Sequence, residues 1–162
     1  MLIGLISDTH GLLRPEVARV FAGVDLIVHA GDVGGRAVLE ALRRIAPVDA
    51  VYGNVDDVAD PELARERTIP VGDLTLHVSH GHELGRPTPE LVLARYDADI
   101  LVFGHTHRAV VWRGARAGAA RGVRPCTVVN PGAAGPRRFD VQPSVARLTV
   151  ARGRPEVEIV PL

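Results

Sequence analysis

The stretch Leu2-Ile3-Gly4-Leu5-Ile6-Ser7-Asp8-Thr9-His10 decides how the chain is read. Its apolar start has the length and composition of a buried strand, and it stops abruptly at polar residues. The same design recurs at 26–29, 48–52, 74–79, 100–103, 109–112, 126–130 and 145–150, mostly ending in Gly, Asp, Asn or Ser. Helical patterns separate the early runs. One covers 14–21 and opens with Pro15, suited to a first turn. Another covers 35–45 and puts Val38, Leu39, Leu42 and Ile45 on one face, and a third covers 89–96. The first half therefore reads β-α-β-α-β, the pattern of parallel strands joined by crossover helices. The second half is richer in strands, with a hairpin link at Val71-Gly72-Asp73-Leu74 and a long turn expected over 114–122. A mixed α/β fold follows, with more strands than a simple doubly wound sheet uses.

Composition narrows the class. The chain has 162 residues, 46% hydrophobic, with a formal net charge of zero, which describes an ordinary globular protein. A length of this order suits one domain over 1–162. Aromatic residues make up only 4%, so Val, Ile, Leu and Ala must build the core. No basic leader precedes the first apolar run and no run approaches the roughly 20 residues of a membrane span, so a cytoplasmic location is expected. The lone Cys126 fits a reducing compartment. All 19 basic residues are Arg, and seven of them fall between 108 and 138 with no acidic residue among them. That segment reads as a solvated loop face or as an electropositive rim for phosphate.

Five segments place Asp, Asn or His directly after an apolar run: Ser7-Asp8-Thr9-His10, His29-Ala30-Gly31-Asp32, Gly53-Asn54-Val55-Asp56, His80-Gly81-His82 and Gly104-His105-Thr106-His107. Ligands gather at the carboxyl ends of strands in α/β sheets, so all five should converge on one edge. In extended chain, residues two apart point the same way, which would pair Asp8 with His10 and His105 with His107. Gly31, Gly53, Gly81 and Gly104 remove Cβ atoms where backbones must crowd. Imidazole and carboxylate donors without thiolate suit Mn²⁺, Fe, Zn²⁺, Co²⁺ or Ni²⁺ better than Cu(I) or Ca²⁺. Each segment alone is weak, because a strand-end Asp is often a helix cap and a lone His is usually structural. The ordered set is not weak, since five of the seven His (10, 80, 82, 105 and 107) fall in its first triplet and its two His pairs. His29 and His77 lie inside apolar runs and read as structural, with His29 close enough in sequence to brace a ligand.

The ordered series D-x-H, GD, GN, H, GHTH resembles the calcineurin-like metallophosphoesterase superfamily. Ser7-Asp8-Thr9-His10 and the loop Asn130-Pro131-Gly132 are similar to the YfcE-type phosphodiesterase branch. The resemblance implies a four-layer αββα sandwich with two mixed β-sheets. It also implies two divalent metal ions, with manganese the expected ion and nickel, zinc, iron or cobalt compatible. One ion would take Asp8, His10, Asp32 and His107; the other would take Asn54, His80, His105 and the shared Asp32. The implied reaction is hydrolysis of small phosphodiesters by a hydroxide bridging the two ions. His82 becomes the candidate catalytic side chain, and Asn130, Gly132 and Arg137 the candidate substrate contacts, with Arg36 and Arg138 as further phosphate clamps.

Two departures from the family pattern matter. Relatives often carry a leaving-group acid where Val55 stands, so esters with good leaving groups are expected unless His82 substitutes. The loop reads Asn130-Pro131-Gly132-Ala133, where relatives often have Ser in the last position. The alternatives are a phosphomonoesterase or nuclease using the same site, or a non-catalytic scaffold resembling the small retromer subunit. Balanced charge and scarce aromatics argue against a nucleic-acid partner, no membrane partner is expected, and strand edges leave room for a homodimer or higher homo-oligomer.

Overall fold

Alternation along the strands sorts the buried side chains into three clusters, and the clusters define the layers. In the computed structural model, residues 1–118, 122–138 and 140–162 are described. The first half runs β1 (Leu2–Ile6), α1 (Glu16–Val20), β2 (Leu26–Ala30), α2 (Arg36–Arg43) and β3 (Val48–Val51). The rest adds β4 (Glu66–Val71), β5 (Leu74–Ser79), a 3-10 turn (His82–Leu84), α3 (Pro89–Arg95), β6 (Ile100–Val102), β7 (Val110–Gly118), β8 (Gly122–Asn130), β9 (Ser144–Ala151) and β10 (Arg154–Pro161).

Two five-stranded sheets form, in the orders β10-β9-β1-β2-β3 and β4-β5-β6-β8-β7. Both mix parallel and antiparallel pairs: β1 is parallel to β2 and antiparallel to β9, and β6 is parallel to β5 and β8, while β7 is antiparallel to β8. Ile3 and Leu5 of β1 face Ile100 and Val102 of β6 in one cluster between the sheets. Ile6 and Ile27 turn the other way, onto Val17, Phe21, Leu39 and Leu42 of α1, α2 and their flanks. Leu101 and Phe103 do the same on the second sheet, against Val92 and Tyr96 of α3 and its C-cap. Period-two alternation thus gives each sheet two buried faces, and the layers run helix, sheet, sheet, helix. The expected αββα sandwich is the observed one. Gly4 fits this scheme because a Cβ there would lie 2.9 Å from the Phe21 ring.

Local expectations needed adjustment at several points. The expected turn over 114–122 is mostly strand, because β7 and β8 pair in register from Val110↔Asn130 to Gly118↔Gly122. Positions 119–121, including Arg121, lie outside the described residues. β10 was absent from the apolar runs, since Glu156 and Glu158 alternate with Val157 and Ile159 along an edge strand. The helices are shorter than their sequence patterns by one or two residues at an end. α3 has the best-defined start, with Thr88 capping the amide of Leu91 and Pro89 in the first turn.

Candidate metal centre

The predicted donors all follow strands, and the strands are parallel where it matters. β1, β2 and β3 end in the loops carrying Asp8 and His10, Asp32, and Asn54. β5 and β6 end in those carrying His80 and His105/His107. The two sheets meet across these loops: His80 Nδ1 lies 2.8 Å from the Ala30 carbonyl, and the His105 amide donates to Asp8 Oδ2 at 3.1 Å.

The chain reaches this geometry by leaving the strand conformation, which corrects the extended-chain expectation for the ligand pairs. Asp8, His10, Asp32, His105 and His107 all have φ between 47° and 67°. Only one other non-glycine described residue, Arg152, has a positive φ. Left-handed backbone is costly for a side-chain-bearing residue and persists where the surroundings enforce it, typically at functional sites. Here it turns both members of each D-x-H or H-x-H pair inward. Close approach is real at three of the glycines: a Cβ on Gly53 would overlap the Asp32 carboxylate, one on Gly31 would fall 2.7 Å from the His80 ring, and one on Gly104 would fall 2.7 Å from the Ala30 carbonyl oxygen. Gly81, by contrast, faces Pro87 rather than a ligand.

Asp8, His10, Asp32 and His107 each offer a donor atom within 4.8 Å of the others. His107 Nε2 is 3.1 Å from Asp8 Oδ1, and His10 Nε2 is 3.8 Å from Asp32 Oδ2. The second predicted group lies alongside. His80 Nε2 is 3.4 Å from Asp32 Oδ1 and 3.3 Å from Asn54 Oδ1, and the His105 ring stands edge-on to His80 at 5.1 Å. Asp32 therefore touches donors of both groups.

The donor set fits a metal for reasons visible in its contacts. A buried carboxylate oxygen, Asp8 Oδ1, has no hydrogen-bond donor. His10 Nε2 and His107 Nε2 stand 3.3 Å apart. Donation from His80 Nδ1 to Ala30 leaves Nε2 as a lone pair facing two oxygens. Such acceptor-to-acceptor contacts repel unless a proton or cation lies between them. Without a cation the carboxylates recruit protons instead. Burial opposes charging of His80, yet its hydrogen bond to Asp32 and the nearby Asp8 raise its pKa above the usual value. Burial works against ionisation of Asp32 too, but the bond from His80 and the Val55 amide take its carboxyl down to about 2. His10 and His105 go the other way, mainly because burial disfavours their charged forms.

The remaining predicted residues divide. His82 opens the 3-10 turn beside the second group, its ring 5.4 Å from His80 and 6.4 Å from His105. Val55 is 55% exposed at the mouth of the same group. Asn130 is fully buried, donating to Gly104 O and Thr106 Oγ1 and accepting from the Gly132 amide. It braces the His105 loop from beneath, a different place from the expected substrate contact. Gly132 is buried as well, against Ser144 Oγ. Arg36 pairs with Glu62 at 3.8 Å. Arg137 lies exposed on the rim, whereas Arg138 reaches His10 Nε2 at 3.4 Å.

Two residues that sequence reasoning left without a role tie the loops together. Asp56 accepts from the amides of Val33, Gly34 and Gly53, clamping the loops after β2 and β3. An Asp three residues past a loop glycine was the available signal. Thr9 donates to Val33 O and bonds His29 Nε2 at 2.9 Å, so His29 does brace the site from its buried position.

Comparison with known proteins agrees with this geometry. Residues 1–153 match the calcineurin-like phosphoesterase superfamily domain. A "probable metallophosphoesterase" of Methanothermobacter thermautotrophicus is 34% identical, covering 99% of this chain and 92% of that protein. Among solved structures, the YfcE phosphoesterase of E. coli superposes with a TM-score of 0.67 at 27% identity, over 92% of this chain and 88% of that one. Vps29 of Chaetomium thermophilum reaches 0.75 at 22% identity, over 100% and 95%, a likeness of fold. On the family match and the archaeal relative together, the chain belongs to the calcineurin-like phosphoesterase superfamily.

Proposed function

We propose that this metallophosphoesterase hydrolyses small phosphodiesters at a centre of two divalent ions. The observation that carries the reading is the four-donor group Asp8, His10, Asp32 and His107 within 4.8 Å, with His80 Nε2 at the Oδ1 atoms of both Asp32 and Asn54. The first group would hold one ion; Asn54, His80, His105 and Asp32 would hold the second. When bound, the metal pair supplies hydroxide at neutral pH and positive charge for the phosphoryl transition state.

The chain's own residues do the rest. Asp32 links the two groups, and the Val55 amide at 3.1 Å fixes its Oδ1. The Ala30 carbonyl fixes the His80 tautomer, leaving Nε2 as the donor atom. Asp56 sets the spacing between the Asp32 and Asn54 loops. His82 is the side chain placed to deliver a proton to a leaving oxygen, and its 30% exposed ring leaves it reachable. Val55 has no proton to give, so leaving groups that depart as stable anions are favoured.

The intact donor set favours an enzyme over a scaffold. The likeness to Vps29 at 22% identity carries the fold alone. Metal-stripped protein refilled with Mn²⁺, Zn²⁺, Ni²⁺ or Mg²⁺ and assayed on bis-nitrophenyl phosphate and nitrophenyl phosphate tests the proposal. Diester turnover that requires a transition metal and vanishes in His107→Ala is expected. Preference for the monoester would replace the diesterase reading, and metal binding without turnover of either would favour a scaffold.

A further inference from the structure

The loop between β8 and β9 is tied to the end of β1 more firmly than a surface connection needs to be. The Ala134 amide donates to Ser7 O at 3.0 Å and the Gly135 amide to Asp8 O at 3.1 Å. Arg14 Nε donates to Gly135 O at 3.2 Å, and Ser7 Oγ to Gly132 O at 2.7 Å. Gly135 has no room for a side chain, because a Cβ would overlap the Thr9 carbonyl. Pro136 then stiffens the exit of the loop. The anchored segment delivers Arg138, whose Nη2 stands 3.4 Å from His10 Nε2, the donor atom of the first group. At that distance the guanidinium can donate to the imidazole lone pair; were a cation to take that lone pair, the guanidinium would stand beside it with its donors free for an anion. The segment is electropositive by sequence, with Arg137 and Arg138 adjacent in the chain and no acid between 108 and 138.

Strand order gives the approach a direction. β9, which this loop precedes, flanks β1 on one side, and β3, which Val55 follows, flanks β2 on the other. With strands about 4.8 Å apart, β9 and β3 are separated by roughly 14 Å across the site. The loop that carries Arg138 and the loop that carries Val55 thus leave strands on opposite flanks of the site.

From this geometry we propose that Arg138, rather than Arg137, is the substrate-binding arginine: it grips non-bridging phosphate oxygens at the His10 edge. The proposal rests on the phosphoesterase reading of the same site, but its test does not need turnover. A planar guanidinium offers paired donors to two phosphate oxygens, which an ammonium cannot match.

The experiment is calorimetric titration of inorganic phosphate into Mn²⁺-loaded wild-type, Arg138→Ala and Arg138→Lys protein, with bound metal measured in each sample. Losing one charge-assisted contact predicts phosphate binding weaker by about tenfold in Arg138→Ala, partial recovery in Arg138→Lys and unchanged metal content. In turnover, KM rises more than kcat falls. Wild-type phosphate affinity in Arg138→Ala overturns the proposal, and so does loss of bound metal in that variant, which would make Arg138 part of the metal site's support. Phosphate binding that depends on Arg138 without any diester hydrolysis would leave this inference standing and remove the proposed activity.

Discussion

The two ends of the strands use the same kinds of residue for opposite purposes. At the amino ends of β5, β6 and β8, Arg124 donates to Asp99 at 2.9 Å and also pairs with Asp97. The other Asp99 oxygen takes the Thr75 amide and hydroxyl, both at 2.8 Å. Opposite charges pair there, although Arg116 Nε and Nη1 and Arg124 Nε are buried without a hydrogen-bond partner. A cavity of about 330 Å³ adjoins them, lined by Leu74, Arg113, Cys126 and Pro155 among others. At the carboxyl ends, like groups face like: imidazole nitrogens 3.3 Å apart, and a buried carboxylate oxygen with no donor. Backbone strain gathers at this end as well. Room alone would point to the amino ends. Close contacts between like groups and left-handed backbone point to the carboxyl ends, because a fold keeps such costs only where something else compensates them.

This contrast predicts a double dissociation. Asp32→Ala should lower kcat/KM by about a thousandfold and abolish the rise in Tm that saturating Mn²⁺ gives wild-type protein, since a ligand stabilises only the state that binds it. Arg124→Ala should leave turnover alone but cost about 2 kcal/mol of stability, discounted for partial exposure, by removing the guanidinium that pairs with Asp97 and Asp99. Denaturant melts and diester kinetics on both variants check the pair. Equal effects of both changes on activity would break the division between the ends.

The next effect lies beneath the metal end. Burial holds the pKa of His29 down to about 4, with Asp56 and Asp8 opposing. The unfolded chain protonates this group near 6.5, so it binds the proton more readily than the folded protein does. Stability is complete above that pH and is lost as pH falls from 6.5 to about 4, by about 3 kcal/mol in all. His29→Gln, which can keep a bond to Thr9, should flatten this acid limb in denaturation measured across that window.

A smaller effect sharpens the comparison within the metal end. Val55→His should raise the turnover of alkyl diesters relative to nitrophenyl diesters by about tenfold, by supplying a proton to a poor leaving group. Ratios of kcat/KM for the two substrate types read this directly; an unchanged ratio would assign the proton to another group.

Much of this was legible before any coordinates. Buried strands announce themselves because both faces are apolar, so Leu2–Ile6 and Leu74–Ser79 match their sequence runs residue for residue. Edge strands do not. Arg154–Pro161 alternates charged with apolar residues, Glu66–Val71 opens on Glu66-Arg67-Thr68, and both include Pro, as exposed edges tend to. The donors were legible through type and order, since Asp, Asn and His at strand ends survive any error in element boundaries. Their backbone conformation was not: nothing in Asp8-Thr9-His10 states that two of three residues adopt left-handed φ. Nor could sequence separate Arg137 from Arg138. That choice depends on how the preceding loop is pinned, through hydrogen bonds spanning more than a hundred residues.

The most direct test of the central claim is Mn²⁺ titration of metal-stripped protein, followed by electron paramagnetic resonance with total metal analysis. The account predicts two ions per chain and a spin-coupled signal, because the two donor groups share Asp32, with coupling lost in Asp32→Ala. A single ion showing the isolated-ion hyperfine pattern at saturation would contradict it.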